Sequence, residues 1–270
     1  MKNVPYSNLH CHTIFSDGVN TPEEMILAAL DSGMVTIGFS EHSTTPGEMR
    51  YCMRPSAVNA YKREIARLKE KYAGRIEVVL GLELDARSEI HDRADYDYVI
   101  GDIHDVMAPH GAYSVDGSEA EQRRCLDEVC CGDMIEYACR YYDTYVEAIR
   151  RMRPDILGHF DLLTKFGLFD ESDPLYRAIA TDALHKCLDV CSIVEMNTGA
   201  ISRGYRKRPY PADFLLHEIR DCGGEIILSS DTHAADTQTC FFAESLDILR
   251  NAGFDHIVLW RGGGFDRTEI

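Results

Sequence analysis

Short apolar runs and helical patterns take turns along nearly the whole chain, and that alternation restricts the fold more than any other feature. Runs that read as strands lie at residues 4–9, 35–39, 76–80, 96–100, 154–159, 193–197 and 225–229. Between them the helical signals are specific. Thr21 is placed to cap a helix with Pro22 in its first position and Glu24 closing a capping box, and Gly33 ends it. Further helices are expected over 55–72, over 119–152 with a break near Gly132, and over 175–190, 211–222 and 237–251. Residues 105–117 read as a loop, and 256–267 as a small terminal hairpin. Strands that alternate with helices pair in parallel with the helices outside, which makes the chain an α/β protein. No Pro-, Gly- or Ser-rich linker divides it, so residues 1–270 are expected to form a single domain.

Composition narrows the function. The formal net charge of −17 argues against nucleic acid as a partner, because such binding depends on Lys and Arg contacts to phosphates. A small phosphorylated substrate remains compatible, since bound divalent cations reverse the local field. No apolar run is long enough to cross a bilayer, and the N-terminus lacks the regions of a signal peptide, so a cytoplasmic protein without a membrane partner is expected. The ten cysteines are irregularly spaced and read as reduced, mostly buried thiols.

The chemistry gathers at strand ends. His10 and His12 close the first run and, two residues apart on a strand, point the same way, while Cys11 points opposite. Asp17 follows a short bend that ends at Gly18. His42 closes the second run, Glu83 the third, His104 the fourth and His159 the fifth, and Asp231 with His233 follows the seventh. Active sites of parallel barrels form where strands end. Imidazoles and carboxylates converging there are suited to divalent metals. His91, His110, His185, His217 and His256 fall in helices, loops or the tail, and nothing aims them at such a site.

These pieces, His10-Cys11-His12, Ser16-Asp17-Gly18, Glu41-His42, Gly81-Leu82-Glu83, Ile103-His104, Gly158-His159 and Ser230-Asp231-Thr232-His233, resemble the PHP superfamily of polymerases and histidinol phosphatases, in the same order. Tyr113-Ser114-Val115-Asp116, the run 156–165 and Glu195-Met196-Asn197-Thr198 are similar to its monofunctional histidinol phosphatase branch. The resemblance implies a distorted (β/α)7 TIM-like barrel and three divalent ions, Zn, Fe or Mn. It implies a first ion on His10, His12, Glu83 and Asp231, a second on Glu83, His104 and His159, and a third on Asp17, His42 and His233. Asp17 stands near where some relatives carry a histidine, which makes the third site harder. The implied reaction is hydrolysis of L-histidinol phosphate to L-histidinol and phosphate. The alternative is a PHP phosphoesterase acting on nucleotides or another small phosphorylated metabolite. Such ions supply an ionised water near neutral pH and offset phosphoryl charge. Asp231 or His233 is the candidate acid for the leaving alkoxide. Lys165 and Arg203 are expected to hold phosphate, with Arg206 and Arg208 nearby in the chain. Asp116 and Glu41 are candidate partners for the amine and imidazole of the substrate.

Overall fold

The computed structural model describes residues 4–48, 50–88, 93–109 and 111–270; His91 and His110 lie outside them. The order of elements is β1 (Ser7–Asn8), α1 (Pro22–Asp31), β2 (Thr36–Phe39), α2 (Val58–Lys71), β3 (Glu77–Asp85), β4 (Tyr98–Asp102), β5 (Asp105–Ala108), β6 (Gly111–Ser114), α3 (Glu119–Cys130), α4 (Met134–Met152), β7 (Ile156–Leu157), α5 (Pro174–Leu188), β8 (Ile193–Asn197), α6 (Gly199–Ser202), α7 (Asp213–Asp221), β9 (Glu225–Ser229), α8 (Phe242–Ala252), β10 (His256–Trp260) and β11 (Phe265–Glu269). The capping box at Thr21 forms: Glu24 N–H donates to Thr21 Oγ1, and Thr21 N–H donates to Glu24 Oε2 at 2.7 Å. The 119–152 pattern breaks where Cys131 and Gly132 take left-handed backbone angles, and Asp133 caps α4 through the N–H groups of Ile135 and Glu136.

The main sheet runs β1-β2-β3-β4-β7-β8-β9-β10-β11, parallel from β1 to β10. Its first seven strands curl into a distorted (β/α)7 barrel. The seam closes where Cys11 bridges Thr232, with His12 N–H donating to Thr232 O at 2.8 Å and Asn8 Nδ2 to Ser230 Oγ at 2.6 Å. At the opposite end β10 lies beside β9, and Trp260 reaches β2 and β3: its carbonyl accepts from Thr36 Oγ1 and its Nε1 donates to Glu77. Leu9, Val79, Tyr98, Ile100, Ile156, Ile227, Val258 and Trp260 form the cluster inside.

Two segments differ from the sequence reading. Residues 105–117 hold the β5–β6 hairpin, in which Val106 and Tyr113 pair and are both buried. The terminal hairpin exists as β10 and β11, but it belongs to the main sheet and blocks the barrel's base.

Packing positions the strand ends. Four tyrosines of α4, Tyr137, Tyr141, Tyr142 and Tyr145, are fully buried. Tyr145 donates to Gly158 O at 2.7 Å and Tyr141 to Phe160 O at 3.1 Å, so α4 grips the backbone on both sides of His159. Inside the barrel the Tyr98 ring fills the space that side chains at Gly38 and Gly81 would need; a Cβ on Gly81 would fall 2.2 Å from the ring. Gly81→Ala is therefore expected to force Tyr98 out of place and destabilise the protein by about 1–3 kcal/mol. Denaturant unfolding of the two proteins measures it, and an unchanged midpoint would show that Tyr98 moves freely.

Candidate metal centre

His10 and His12 follow β1 and are fully buried, while the Cys11 side chain turns into the hydrophobic cluster behind them. The next residues fold back on themselves: Ser16 and Gly18 both donate backbone N–H groups to Thr13 O at 3.0 Å. A Cβ at position 18 would lie 2.4 Å from His12 O, so only glycine fits this return. Glu41 holds the bend from beneath. Its buried carboxylate accepts from Thr13 N–H at 3.1 Å, from Thr13 Oγ1 at 2.5 Å and from Ser16 Oγ. Glu41 is thus turned away from the place where a substrate would sit, contrary to the expectation for it. Its bonds hold the turn that carries Asp17.

Glu83 is the hub. Its Oε1 lies 3.1 Å from His10 Nε2, 3.1 Å from His159 Nε2 and 3.6 Å from His104 Nε2. Its Oε2 lies 2.5 Å from His42 Nδ1 and 3.5 Å from His12 Nε2. Asp231 Oδ1 is 3.4 Å from His12 Nε2, and Asp17 Oδ1 is 3.3 Å from His233 Nε2 and 3.6 Å from His42 Nε2. The structure therefore brings together His10, His12, Asp17, His42, Glu83, His104, His159, Asp231 and His233. Their donor atoms fall into overlapping sets within 4.8 Å: His12, Asp17, His42 and His233; His10, His12 and Glu83; His10, His159 and Asp231; and Glu83, His104 and His159 with Asp102. Asp231 has a left-handed backbone (φ 46°), an uncommon conformation for a residue with a side chain and one that concentrates at functional sites.

The donor set fits divalent cations. Buried polar atoms ordinarily have hydrogen-bond partners. Here His10 Nε2, both ring nitrogens of His12, both Asp102 oxygens and His159 Nδ1 meet none in hydrogen-bond geometry. In His10 and His104 the second nitrogen is directed as metal-binding imidazoles require. His10 Nδ1–H donates to Glu195 Oε1 at 2.6 Å, which leaves Nε2 free, and His104 Nδ1 faces Asp85 at 3.3 Å. Burial opposes charge on His10, yet Glu195, Glu83 and Asp231 outweigh it and raise its pKa, so the field here favours positive charge. Burial, with the neighbouring His42 and His233, lowers His12 to about 3 and keeps it in the neutral, ligating form.

Beside the cluster lies a cavity of about 290 Å³, lined by Asp17, His42, His104, His159, Asp231 and His233 together with Arg50, Tyr51, Asp116, Lys165 and Arg203. Arg203 Nη2 donates to Asp231 Oδ2 at 2.8 Å and Nη1 to Asp231 O at 2.9 Å. Lys165 Nζ donates to Asp116 O at 2.8 Å. Arg206 is directed elsewhere, to Thr164 and Glu171, and Arg208 pairs with Asp213.

Sequence reasoning passed over several of these residues. Asp102 stands two positions before His104, the same spacing that marked His10 and His12. Glu195 accepts from nearby Asn197 Nδ2 but also from His10 and from His159 N–H, and no local pattern announces those two distant partners. Arg50 and Tyr51 sit in an irregular segment where no period predicts direction.

A family model described as the PHP domain matches residues 8–199. Over 257 residues the chain is 30% identical to a protein of Deinococcus radiodurans named probable histidinol-phosphatase, which spans 90% of this chain and 92% of that one. It is 24% identical over 250 residues to the histidinol-phosphatase of Bacillus subtilis, spanning 84% and 92%. Among solved structures, the fold matches that of histidinol phosphate phosphatase from Lactococcus lactis, complexed with zinc, L-histidinol and phosphate. That match has a TM-score of 0.72 at 22% identity and covers 98% of this chain and all of the other.

Proposed function

The chain belongs to the PHP domain family, and from that premise we propose that it is a phosphoric monoester hydrolase converting L-histidinol phosphate to L-histidinol and phosphate. The observation that carries this reading is a single cavity lined both by the clustered imidazoles and carboxylates and by two cationic side chains, Arg203 and Lys165. His10, His12, Glu83 and Asp231 would hold one divalent ion, Glu83, His104 and His159 a second, and Asp17, His42 and His233 a third, drawn from Zn, Fe or Mn. When bound, such ions activate water for attack on phosphorus and neutralise the phosphoryl oxygens.

The chain's own residues do the rest. Arg203, anchored by Asp231, directs its guanidinium along the cavity wall, where it can meet two phosphoryl oxygens at once. Lys165 adds a second positive charge. Burial tends to raise the Asp116 pKa, but Lys165 and neighbouring histidines lower it, so Asp116 offers a carboxylate to the substrate's amine. Asp231 likewise resists the effect of burial, because Arg203 and His10 hold it well below the usual carboxylate range. An ionised Asp231 is a poor proton donor and a His233 that ligates an ion has no acidic proton to give, so protonation of the leaving alkoxide falls to water in the cavity.

None of the described helices is long and apolar enough to cross a membrane. Ten free thiols, six of them buried, support a reducing, cytoplasmic setting. A main sheet that draws strands from Ser7 to Glu269 supports one domain over 1–270.

Phosphate release from histidinol phosphate, nucleotides and sugar phosphates tests the reading. Histidinol phosphate should lead in kcat/KM by at least about tenfold, since a site that pairs the substrate's polar groups discriminates at this level or better. Chelator-treated protein should be inactive and recover with Zn, Mn or Fe. Preference for another phosphate ester would overturn the substrate, and full activity with a single ion per chain would overturn the three-ion arrangement.

A further inference from the structure

Asp102 has no part in the reaction described above, yet its position is unusual. It ends β4 two residues before His104, so both side chains leave the strand on the same face. The side chain is fully buried, and neither carboxylate oxygen has a hydrogen-bond partner. Its oxygens lie 3.5 Å from His159 Nε2 and 3.6 Å from His104 Nδ1, and it shares a set of converging donor atoms with Glu83, His104 and His159. Among the described residues no lysine or arginine pairs with it. Just after the neighbouring strand β7 the chain has Gly158, where an added Cβ would sit 3.3 Å from Asp102 Oδ2, so glycine there leaves the carboxylate room.

A buried carboxylate that makes no hydrogen bond and faces only imidazoles, which must be neutral to bind metal, is disfavoured, and a cation is the partner that relieves it. We infer that Asp102 is an additional anionic ligand of the ion held by Glu83, His104 and His159, an assignment that rests on the metal-dependent reading. Two carboxylates and two imidazoles then give that ion four protein donors, the number of a closed zinc site. The set of His12, Asp17, His42 and His233 lies at the cavity, and Asp17 and His233 in it are partly exposed. The consequence is a division of labour. An ion beside Asp102 would be enclosed by buried groups and retained longest, while one held by the partly exposed Asp17 and His233 would be lost more readily.

The full-length chain and its Asp102→Asn variant would be equilibrated with Zn²⁺ buffers of falling free concentration, and the ions retained counted by elemental analysis. The amide keeps the shape and removes the charge. The parent should hold one ion down to free Zn²⁺ at least about tenfold lower than the variant does. Stripped of metal, the variant should melt no lower than the parent, because a bare buried charge has been removed. Identical retention curves would overturn the inference. So would a metal-stripped variant that melts lower or fails to fold, because Asp102 would then be a structural hydrogen-bonding group. Neither readout uses a phosphate ester. If Asp102 governs retention in a protein that ignores histidinol phosphate, only the substrate is wrong. An active histidinol phosphatase whose ions ignore Asp102 loses only this assignment.

Discussion

Glu83→Gln is expected to lower kcat/KM by two to four orders of magnitude and to strip most of the bound metal. Glu83 touches five histidines through its two oxygens, at 2.5–3.6 Å, and is nearly inaccessible at 1% exposure. Glutamine keeps the volume but replaces one oxygen with a donor that faces ligand nitrogens, and it removes a charge that two cations would share. Breaking a buried charge pair from one side costs about 3–5 kcal/mol, which in rate terms is roughly a hundred- to several-thousandfold. Cys11→Ser is the matched control. Cys11 lies between His10 and His12 in the chain, but its side chain packs against the core behind them, so most activity should remain. Kinetics and elemental analysis on the three proteins decide the matter. Equal damage from both substitutions would contradict the division of faces.

Arg203→Ala should lose about ten- to a hundredfold in kcat/KM, the value of one charge-assisted contact of about 1.5–3 kcal/mol. Arg203→Lys should recover part of it, because an ammonium cannot match the planar two-point contact. The bond from Arg203 to Asp231 gives the substitution a second route to harm, since it also frees a ligand carboxylate. Inhibition by inorganic phosphate separates the two routes. If Arg203 meets phosphoryl oxygens, the inhibition constant rises along with the loss of kcat/KM. If it only steadies Asp231, turnover falls while phosphate inhibits as before.

Much of this site could be read from the chain because strand ends carry a period. His10 and His12 are two apart and converge, and His42, Glu83, His104 and His159 each lie within about three residues of the C-terminal end of a parallel strand. The same rule explains the error at Glu41. Its neighbour in the chain is a candidate ligand, and adjacent residues at a strand end diverge, so Glu41 faces the 13–16 bend instead. Asp102 was equally legible by that period, but a carboxylate inside a buried strand draws less notice than the histidine after it. Glu195 was not legible at all as a partner of His10, because only the closed barrel brings β8 beside the end of β1. The β5–β6 hairpin escaped because each strand has four residues and only Val106 and Tyr113 face inward strongly.

The barrel's seam also sets a timetable. A ribosome delivers His10 and His12 first, yet the strand edge they need, through the bridge from Cys11 to Thr232, comes more than 200 residues later. Asp231 and His233 emerge with that edge, and the base is stopped only when Val258 and Trp260 have followed. A nascent chain can build α1, α2 and their strands early, but it cannot assemble a complete ligand set until its last stretch has left the exit tunnel. The complete set is thereby available only once β9 and the residues after it have been made, and a truncated product lacking β9 onward would lack Asp231 and His233.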